Sequence, residues 1–389
     1  MRPTAAPPAR GFALWNLGFR PFYLLASLFS ALSIALWTAQ SAGWLSVAYL
    51  QGPLWHGHEM LFGFTLAVVA GFLLTAVRAW TGQPTPAGAP LMTLAALWVA
   101  GRILVLTPYG GAAALVNAAF PLALAVAIGI PLVRSRNARN YFFIGLLAAM
   151  AALVAALHLA LLGIAVLPPR LDLVLGLDVM LFIMAVMGGR VIPMFTNNGV
   201  PGAGATRHPL VEKLALGSVL ALAIADLLQL PLPLVAAIAL FAAAAHGVRL
   251  GMWRSWRTLA APLVWILHAA YAWIIVHLAL RALGAMGWVG ESPAIHALTV
   301  GAIGGLTLGM MTRTARGHTA RPLTADRFEL AMFVLVQTAA IVRVFGGMMP
   351  IAYMASVQFA SLLWSAAFGL YAVRYWPVLT RPRLDGKPG

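Results

Sequence analysis

Apolar stretches of membrane-spanning length recur along the whole chain, with short polar turns between them. A helix that crosses the hydrocarbon core of a bilayer needs roughly 20 mostly apolar residues. Only 9% of the 389 residues are charged, and 62% are hydrophobic. Soluble domains carry roughly 25% charged residues, so this chain has too few charges to cover a water-facing surface. The sequence therefore predicts an all-α, polytopic integral membrane protein.

Proline, glycine and polar turns divide the apolar stretches into about twelve predicted transmembrane helices. The predicted helices are 22–40, 55–77, 90–106, 111–133, 141–165, 172–195, 209–229, 231–249, 260–283, 292–312, 326–346 and 349–375. They form one predicted transmembrane domain over 22–375, between a short tail at 1–21 and a second tail at 376–389. The first tail has no long apolar run and no obvious small-residue cleavage site, so we interpret it as a tail and not as a cleaved signal peptide.

Positive charges are distributed very unevenly between the two sets of alternating loops. Of the 25 lysines and arginines, only four fall on one side, namely Arg102, Arg170, Arg281 and Arg343. Lys and Arg gather in cytoplasmic loops because they resist translocation. The pattern therefore predicts a bacterial inner-membrane protein with both termini in the cytoplasm and an even number of helices. It also explains the net charge of +16 without a nucleic-acid partner.

The chain contains no cysteine, which excludes disulfides, iron–sulfur clusters and thiolate zinc sites. Any metal must be bound by histidine, methionine, carboxylate or backbone groups. The Walker loop, the Rossmann glycine pattern and the His-Glu-x-x-His helix are also absent from the sequence, so nothing favours a nucleotide-dependent enzyme.

Histidines are the main candidates for metal ligands, because an ionisable side chain inside a membrane is costly. The predicted topology places five of them, on four helices, in the outer third of the membrane: His56, His58, His158, His277 and His296. His268 lies nine residues deeper than His277, near mid-membrane at roughly 1.5 Å per residue. The remaining three lie at or beyond the cytoplasmic side: His208, His246 and His318.

The segment Trp55-His56-Gly57-His58-Glu59-Met60 is the densest of these candidate sites. On an α-helix His56 and Glu59 share a face, and His58 points the other way. One helix can thus serve two centres, or His58 can bind a metal while His56 and Glu59 form a supporting pair. The alternative is a set of polar residues that caps the helix at a water interface. Glu59 is also a candidate proton carrier, and the thioether of Met60 suits copper(I) or haem iron.

Glycines recur every four residues on the tenth predicted helix, at Gly301, Gly305 and Gly309. Such a stripe allows either another helix or a flat cofactor to approach the backbone.

Several blocks of the sequence together resemble one known family. They are Gly18-Phe19-Arg20-Pro21-Phe22, Trp55 to Phe64, Ala70 to Ala76 with Trp80-Thr81-Gly82, Gly188 to Pro193 with Phe195-Thr196, His296 to Gly301, Met311-Thr312-Arg313 and Gly317-His318-Thr319. They are similar to the NnrS family of bacterial membrane proteins. The resemblance implies a twelve-helix protein that contains haem and copper and is linked to nitric oxide metabolism or tolerance.

The resemblance also marks individual residues. His56, His58 and Glu59 lie in its second block, and His296 and His318 lie in its last. His158 and His268 match shorter segments, whereas His277 matches no block. One departure is Val77-Arg78-Ala79, where Pro-Asn is expected before Trp80.

We therefore predict two groups of site residues. The main cofactor and metal ligands are His56, His58, His158, His268 and His296. A second group consists of His277, His318, Met60, Arg102, Arg281 and Arg343. The three arginines can pair with haem propionates or with Glu59 and Glu291, or simply extend to the membrane interface.

Three functions remain open from the sequence. The first is a protein that binds b-type haem, with copper as a companion, takes nitric oxide as its small-molecule ligand and receives electrons from a periplasmic or membrane donor. The second is a secondary transporter, for which twelve helices are usual and whose polar site would lie near mid-membrane, where Asp178, Asp226 and His268 are the candidates. The third is a sensor or assembly factor that holds haem or copper without turnover.

Overall fold

A computed structural model describes residues 11–47, 49–166, 168 and 170–387, without the side chain of Pro350. The first ten residues of the predicted N-terminal tail, with Arg2 and Arg10, lie outside this part of the chain, as do the last two residues. The described residues are all helical or irregular and include no strand. The all-α prediction is confirmed.

Long helices account for most of the described residues. We number them α1 Phe19–Ser41, α2 Gly52–Thr81, α3 Ala89–Leu104, α4 Gly110–Arg134, α5 Phe142–Leu161, α6 Leu171–Gly199, α7 Pro209–Leu227, α8 Leu232–Met252, α9 Pro262–Ala285, α10 Glu291–His318, α11 Arg327–Phe345 and α12 Tyr353–Thr380. Each lies at one of the predicted positions, with ends shifted by a few residues. α12 continues to Thr380, inside the predicted C-terminal tail, because Pro377 is accommodated within the helix.

Within the described residues, ten of these helices are long and apolar enough to cross a membrane. The chain is therefore a multi-pass membrane protein. The two that fall short are α3, which has 16 residues, and α7, which carries Glu212, Lys213 and Asp226 among its 19 residues.

The helix ends follow local signals in the sequence. The side chain of Asp326 accepts hydrogen bonds from the first turn of α11, and Glu329 returns a bond to the Asp326 backbone, which is a capping box. α2 ends at Gly82, whose φ of 66° is a left-handed conformation that favours glycine.

Both α2 and α10 contain a π-helical segment that starts directly after a histidine. The segment Glu59–Thr65 follows His58, and the segment Ala297–Gly304 follows His296. π-helical turns are rare and occur mostly at functional sites.

The chain divides into two compact units. Unit 1 comprises Met1–Leu173, Arg313–Leu323 and Tyr371–Gly389. Within it, α1 packs on α2, α4 packs on α5, and the buried Arg20 guanidinium donates to the carbonyls of Leu379 and Arg381 at 2.9 and 2.8 Å.

Unit 2 comprises Val174–Thr312 and Thr324–Leu370. Within it, α8 packs between α7 and α9, and α10 packs against α9 and α11. The expectation of a single transmembrane domain over 22–375 stays a prediction.

Candidate metal centre

Two of the predicted ligands lie in contact in unit 1. We call these two residues the histidine pair. The Nε2 atoms of His58 and His158 lie 3.2 Å apart, and their rings are nearly perpendicular, with centroids 5.0 Å apart. Both side chains are fully buried. His58 ends the first α-helical turns of α2, and His158 lies in the last turn of α5.

Each imidazole of the histidine pair also makes a hydrogen bond through its second ring nitrogen, Nδ1. Nδ1 of His58 lies 2.7 Å from Oε1 of Glu59, and Nδ1 of His158 lies 2.9 Å from the hydroxyl of Tyr49. The Tyr49 ring is also stacked on the His158 ring, with centroids 5.7 Å apart. A partner on the second nitrogen fixes ring orientation and tautomer, as is usual for metal-binding histidines.

A buried arginine extends this network away from the histidine pair. Arg102 donates to Oε1 of Glu59 at 2.9 Å and also to the side-chain oxygen of Asn117. Its guanidinium lies 5.9 and 5.7 Å from the ring centroids of Phe29 and Trp98. Of the arginine pairings that the sequence left open, the structure shows Arg102 with Glu59.

Gly63 leaves room for this arginine. A Cβ at position 63 would meet the Arg102 guanidinium and lie 3.0 Å from the Phe29 ring. The Gly63 carbonyl also accepts a hydrogen bond from the Trp98 indole at 3.0 Å. The glycine in the π-helical segment therefore permits the buried ion pair.

The spacing of the histidine pair suits a metal ion. Two imidazole nitrogens that bind one metal tetrahedrally at ~2.0–2.1 Å lie about 3.3 Å apart, close to the observed 3.2 Å. The described part of the chain contains no group of three or more His, Cys, Asp or Glu residues that could hold a metal. The histidine pair itself presents two ligand atoms, the Nε2 atoms of His58 and His158.

The Tyr49 hydroxyl allows the histidine pair to exist in two proton arrangements, because a hydroxyl both donates and accepts. In one, Tyr49 donates to Nδ1 of His158, whose Nε2–H then donates to Nε2 of His58. In the other, Nδ1–H of His158 donates to Tyr49, and both Nε2 lone pairs face the same point. The second arrangement is the one that binds a cation.

Two neighbours of His58 on α2, His56 and Met60, make their contacts away from the histidine pair. The His56 ring packs against Trp37, with centroids 4.8 Å apart, and the sulfur of Met60 lies 3.5 Å from the Ser33 hydroxyl. The carboxylate of Glu59 binds His58, its neighbour in the chain. The expectation that Glu59 would face away from His58 is wrong, because Glu59 opens the π-helical segment and its flexible side chain reaches back.

Unit 2 contains three further predicted ligands. Nε2 of His268 lies 2.7 Å from the Thr196 hydroxyl, and its Nδ1 is buried without a hydrogen-bond partner. Nδ1 of His296 lies 2.7 Å from the carbonyl of Ser292, one turn earlier on α10. The Ser292 hydroxyl in turn accepts from Arg343 at 3.0 Å.

His277 has the most ligand-like surroundings in unit 2, although it belongs to the second predicted group. Nδ1 lies 2.8 Å from the carbonyl of Ala294, so it carries the proton, and the lone pair is on Nε2. That Nε2 is buried and has no hydrogen-bond partner. A buried acceptor without a partner is costly, which makes it a candidate ligand atom.

The structure also places the remaining members of the second group. Arg281 donates to Asp178 and Asp226. Arg281 therefore pairs with these two aspartates, whereas the sequence suggested Glu59 and Glu291 as carboxylate partners. His318 lies in unit 1, where its ring is 5.7 Å from the Phe19 ring.

The glycine stripe on α10 is filled by protein. A Cβ at Gly301 would meet the Trp273 ring, at Gly305 it would lie 2.6 Å from the Cβ of Ala270, and at Gly309 it would lie 2.9 Å from Leu267. These neighbours all lie on α9. Of the two possibilities that the sequence left open, the structure shows close helix packing.

A comparison with protein-family models matches residues 13–383 to the family described as NnrS protein. The chain belongs to the NnrS family. The match covers all the residues of the histidine pair and its network, as well as the three histidines of unit 2. It confirms the resemblance that the sequence blocks indicated. A comparison with curated proteins finds no match.

This NnrS protein has a second buried polar network, which the sequence analysis missed. Arg249 donates to Glu212 at 3.0 Å, to the carbonyl of Ala185 at 2.7 Å and to the Tyr271 hydroxyl at 2.9 Å. The same hydroxyl lies 2.5 Å from Nδ1 of His246. Arg249 lies three residues before the end of α8, so its position in the sequence does not distinguish it from an arginine of a cytoplasmic loop.

Proposed function

We propose that this protein is a twelve-helix protein of the bacterial inner membrane that binds b-type haem and copper and acts in the response to nitric oxide. Membership of the NnrS family supports the proposal. The single observation that carries it is the histidine pair, in which two anchored imidazoles face one another at 3.2 Å.

The proposed topology adds α3 and α7 to the ten membrane-length helices. α3 has 16 residues, which span about 24 Å at ~1.5 Å per residue. Asp226, one of the charges of α7, is paired with Arg281, which lowers the cost of placing it in a membrane. Twelve spans, with the uneven arginine distribution, put both termini in the cytoplasm.

The histidine pair is the proposed copper site. Neutral imidazole is a good ligand for copper, and the chain has no thiolate to compete with it. Glu59 and Tyr49 position the two rings, and Arg102 donates a hydrogen bond to the Glu59 carboxylate. Glu59 remains the proposed proton carrier, since its second oxygen has no hydrogen-bond partner.

The histidines of unit 2 fit a haem ligand set. His277 presents a buried, unpartnered Nε2 whose tautomer is set by a backbone carbonyl, and His268 has a buried, unpartnered Nδ1. Haem iron, when bound, would supply a one-electron couple and a place for nitric oxide to bind. We propose that His268, His277 and His296 would hold the haem, and we keep His56 in the wider ligand set.

Metal and haem analysis of the purified protein tests this proposal. We expect copper and haem in the wild type, and loss of copper in His58→Ala and in His158→Ala with haem retained. His208→Ala is the matched control, because His208 is exposed at the start of α7. The proposed copper site is wrong if both variants keep the copper content of the control. A wild-type protein that holds neither haem nor copper favours the transporter instead.

A further inference from the structure

A buried ion cluster joins three helices of unit 2. Arg281 on α9 donates to Oδ1 of Asp178 on α6 at 3.0 Å, and it donates through its other terminal nitrogen to Oδ2 of Asp226 on α7. The side chains of Asp178, Asp226 and Arg281 are only 2%, 11% and 17% exposed. We call these three residues the Asp–Arg–Asp cluster.

The charges of this cluster do not balance. Two ionised carboxylates and one guanidinium leave one negative charge in a buried place, where an uncompensated charge costs several kcal/mol. His277 lies one turn from Arg281 on α9. Its Nδ1–H is used by the carbonyl of Ala294, so it offers no bond to the carboxylates.

Unit 2 also contains a cluster of the opposite composition. Glu212 is a single carboxylate between two guanidiniums, with Arg249 and Arg207 each within 3.0 Å. Its negative charge is fully compensated. The single, partly buried carboxylate of Glu212 thus has two cationic partners, whereas the two aspartates share one.

One atom of the Asp–Arg–Asp cluster lacks a partner. Oδ2 of Asp178 is buried and receives no hydrogen bond. Asp178 and Asp226 are both bound at the terminal nitrogens of the one Arg281 guanidinium, which brings the two carboxyl groups close together. Ionised carboxylates only accept hydrogen bonds, so two of them in contact repel each other. A proton on one carboxyl gives the bare oxygen a donor and removes the excess charge.

We propose that Asp178 and Asp226 share one proton beside Arg281, so that the cluster is a proton-binding site. Arg281 stabilises the carboxyl that stays ionised, and the other carboxyl carries the proton and donates it in a hydrogen bond. Asp226 is the more exposed aspartate, so the proton exchanges with water through Asp226. The site does not depend on haem or copper.

Infrared spectroscopy of the purified protein in detergent tests this site directly. At neutral pH we expect a C=O stretching band of a protonated carboxyl that shifts in heavy water and shifts again when aspartate alone carries ¹³C. Asp178→Asn and Asp226→Asn each remove the band, because the single remaining aspartate is then balanced by Arg281 and stays ionised. Glu212→Gln leaves the band in place and is the matched control.

The labelling experiment keeps the proposal testable if an asparagine variant does not fold, because it uses the wild-type protein. The proposal is overturned if no carboxyl band is present, or if the band does not respond to aspartate-specific ¹³C. It is also overturned if the band persists in both asparagine variants.

Discussion

Replacing Glu59 with glutamine measures how much one buried carboxylate contributes to copper binding by the histidine pair and to the stability of the protein. Glutamine keeps the size of the side chain but loses the charge. The change removes the anionic acceptor from Nδ1 of His58, which is 2.7 Å away, and from the Arg102 guanidinium, which is 2.9 Å away. We therefore expect two separate effects, one on copper affinity and one on stability.

The expected magnitudes follow from these contacts. Loss of the carboxylate partner of a metal-binding histidine typically weakens metal binding by about 10–100-fold, which is about 1.4–2.7 kcal/mol. The Glu59–Arg102 attraction at 2.9 Å is about 6 kcal/mol at an effective dielectric constant of ~20. Desolvation offsets part of that attraction, and removal of one partner of a buried ion pair costs about 3–5 kcal/mol in stability.

Competition with a copper chelator gives the affinity, and thermal unfolding in detergent gives the stability. Glu212→Gln is the control, because Glu212 binds the buried Arg249 at 3.0 Å and lies in unit 2. Both variants should lose stability, and only Glu59→Gln should lose copper affinity. Equal copper affinity in the two variants would refute the view that Glu59 positions His58.

Three further predictions concern single contacts. Tyr49→Phe removes the hydrogen bond between the Tyr49 hydroxyl and Nδ1 of His158. It should weaken copper binding by about 10-fold in the same competition assay, and an unchanged affinity would contradict the role of Tyr49 in positioning His158. Gly189→Ala places a Cβ against the buried Arg249 guanidinium and should destabilise the protein by about 1–3 kcal/mol, which a lower Tm would show. Gly247→Ala is the control and should leave the Tm unchanged, because a Cβ at Gly247 meets nothing within 4 Å. His277→Ala should lower the haem content measured by the pyridine haemochrome assay, with His208→Ala as control, and equal haem in both variants excludes this residue as a ligand.

The helical architecture was largely predictable, because membrane helices need long apolar runs that are visible in any sequence. The ends were less predictable. α12 passes through Pro377 to Thr380, since proline can be tolerated inside a helix when neighbouring groups satisfy the backbone. The charges of α7 hide its apolar character, and only the structure shows that Asp226 is paired with Arg281.

The candidate site was predictable in part. Depth along the helices placed His58 and His158 at the same level, and the structure brings them into contact. The contact between His58 and Glu59 was missed, because an ideal α-helical wheel separates adjacent residues by about 100° and takes no account of side-chain reach or of a π-helical turn. His277 was placed in the second group because it matches no sequence block, although its surroundings suit a ligand.

One sequence signal was overlooked. His58 and His296 are each followed five residues later by a glycine, Gly63 and Gly301, and thirteen residues later by Gly71 and Gly309. A π-helical segment begins directly after each histidine. The same glycine spacing and a π-helical segment after the histidine are therefore common to α2 and α10.

Haem binding and the role of nitric oxide as a ligand are tested by an optical spectrum of the purified protein. The spectrum is recorded in the oxidised state, in the reduced state and in the reduced state with nitric oxide. We expect a Soret band, sharp α and β bands on reduction, and a shift of these bands when nitric oxide is added, because haem iron would bind the gas. The absence of a Soret band from protein prepared with haem supplied would contradict haem binding. A haem spectrum that does not respond to nitric oxide would contradict the proposed role of the gas as a ligand.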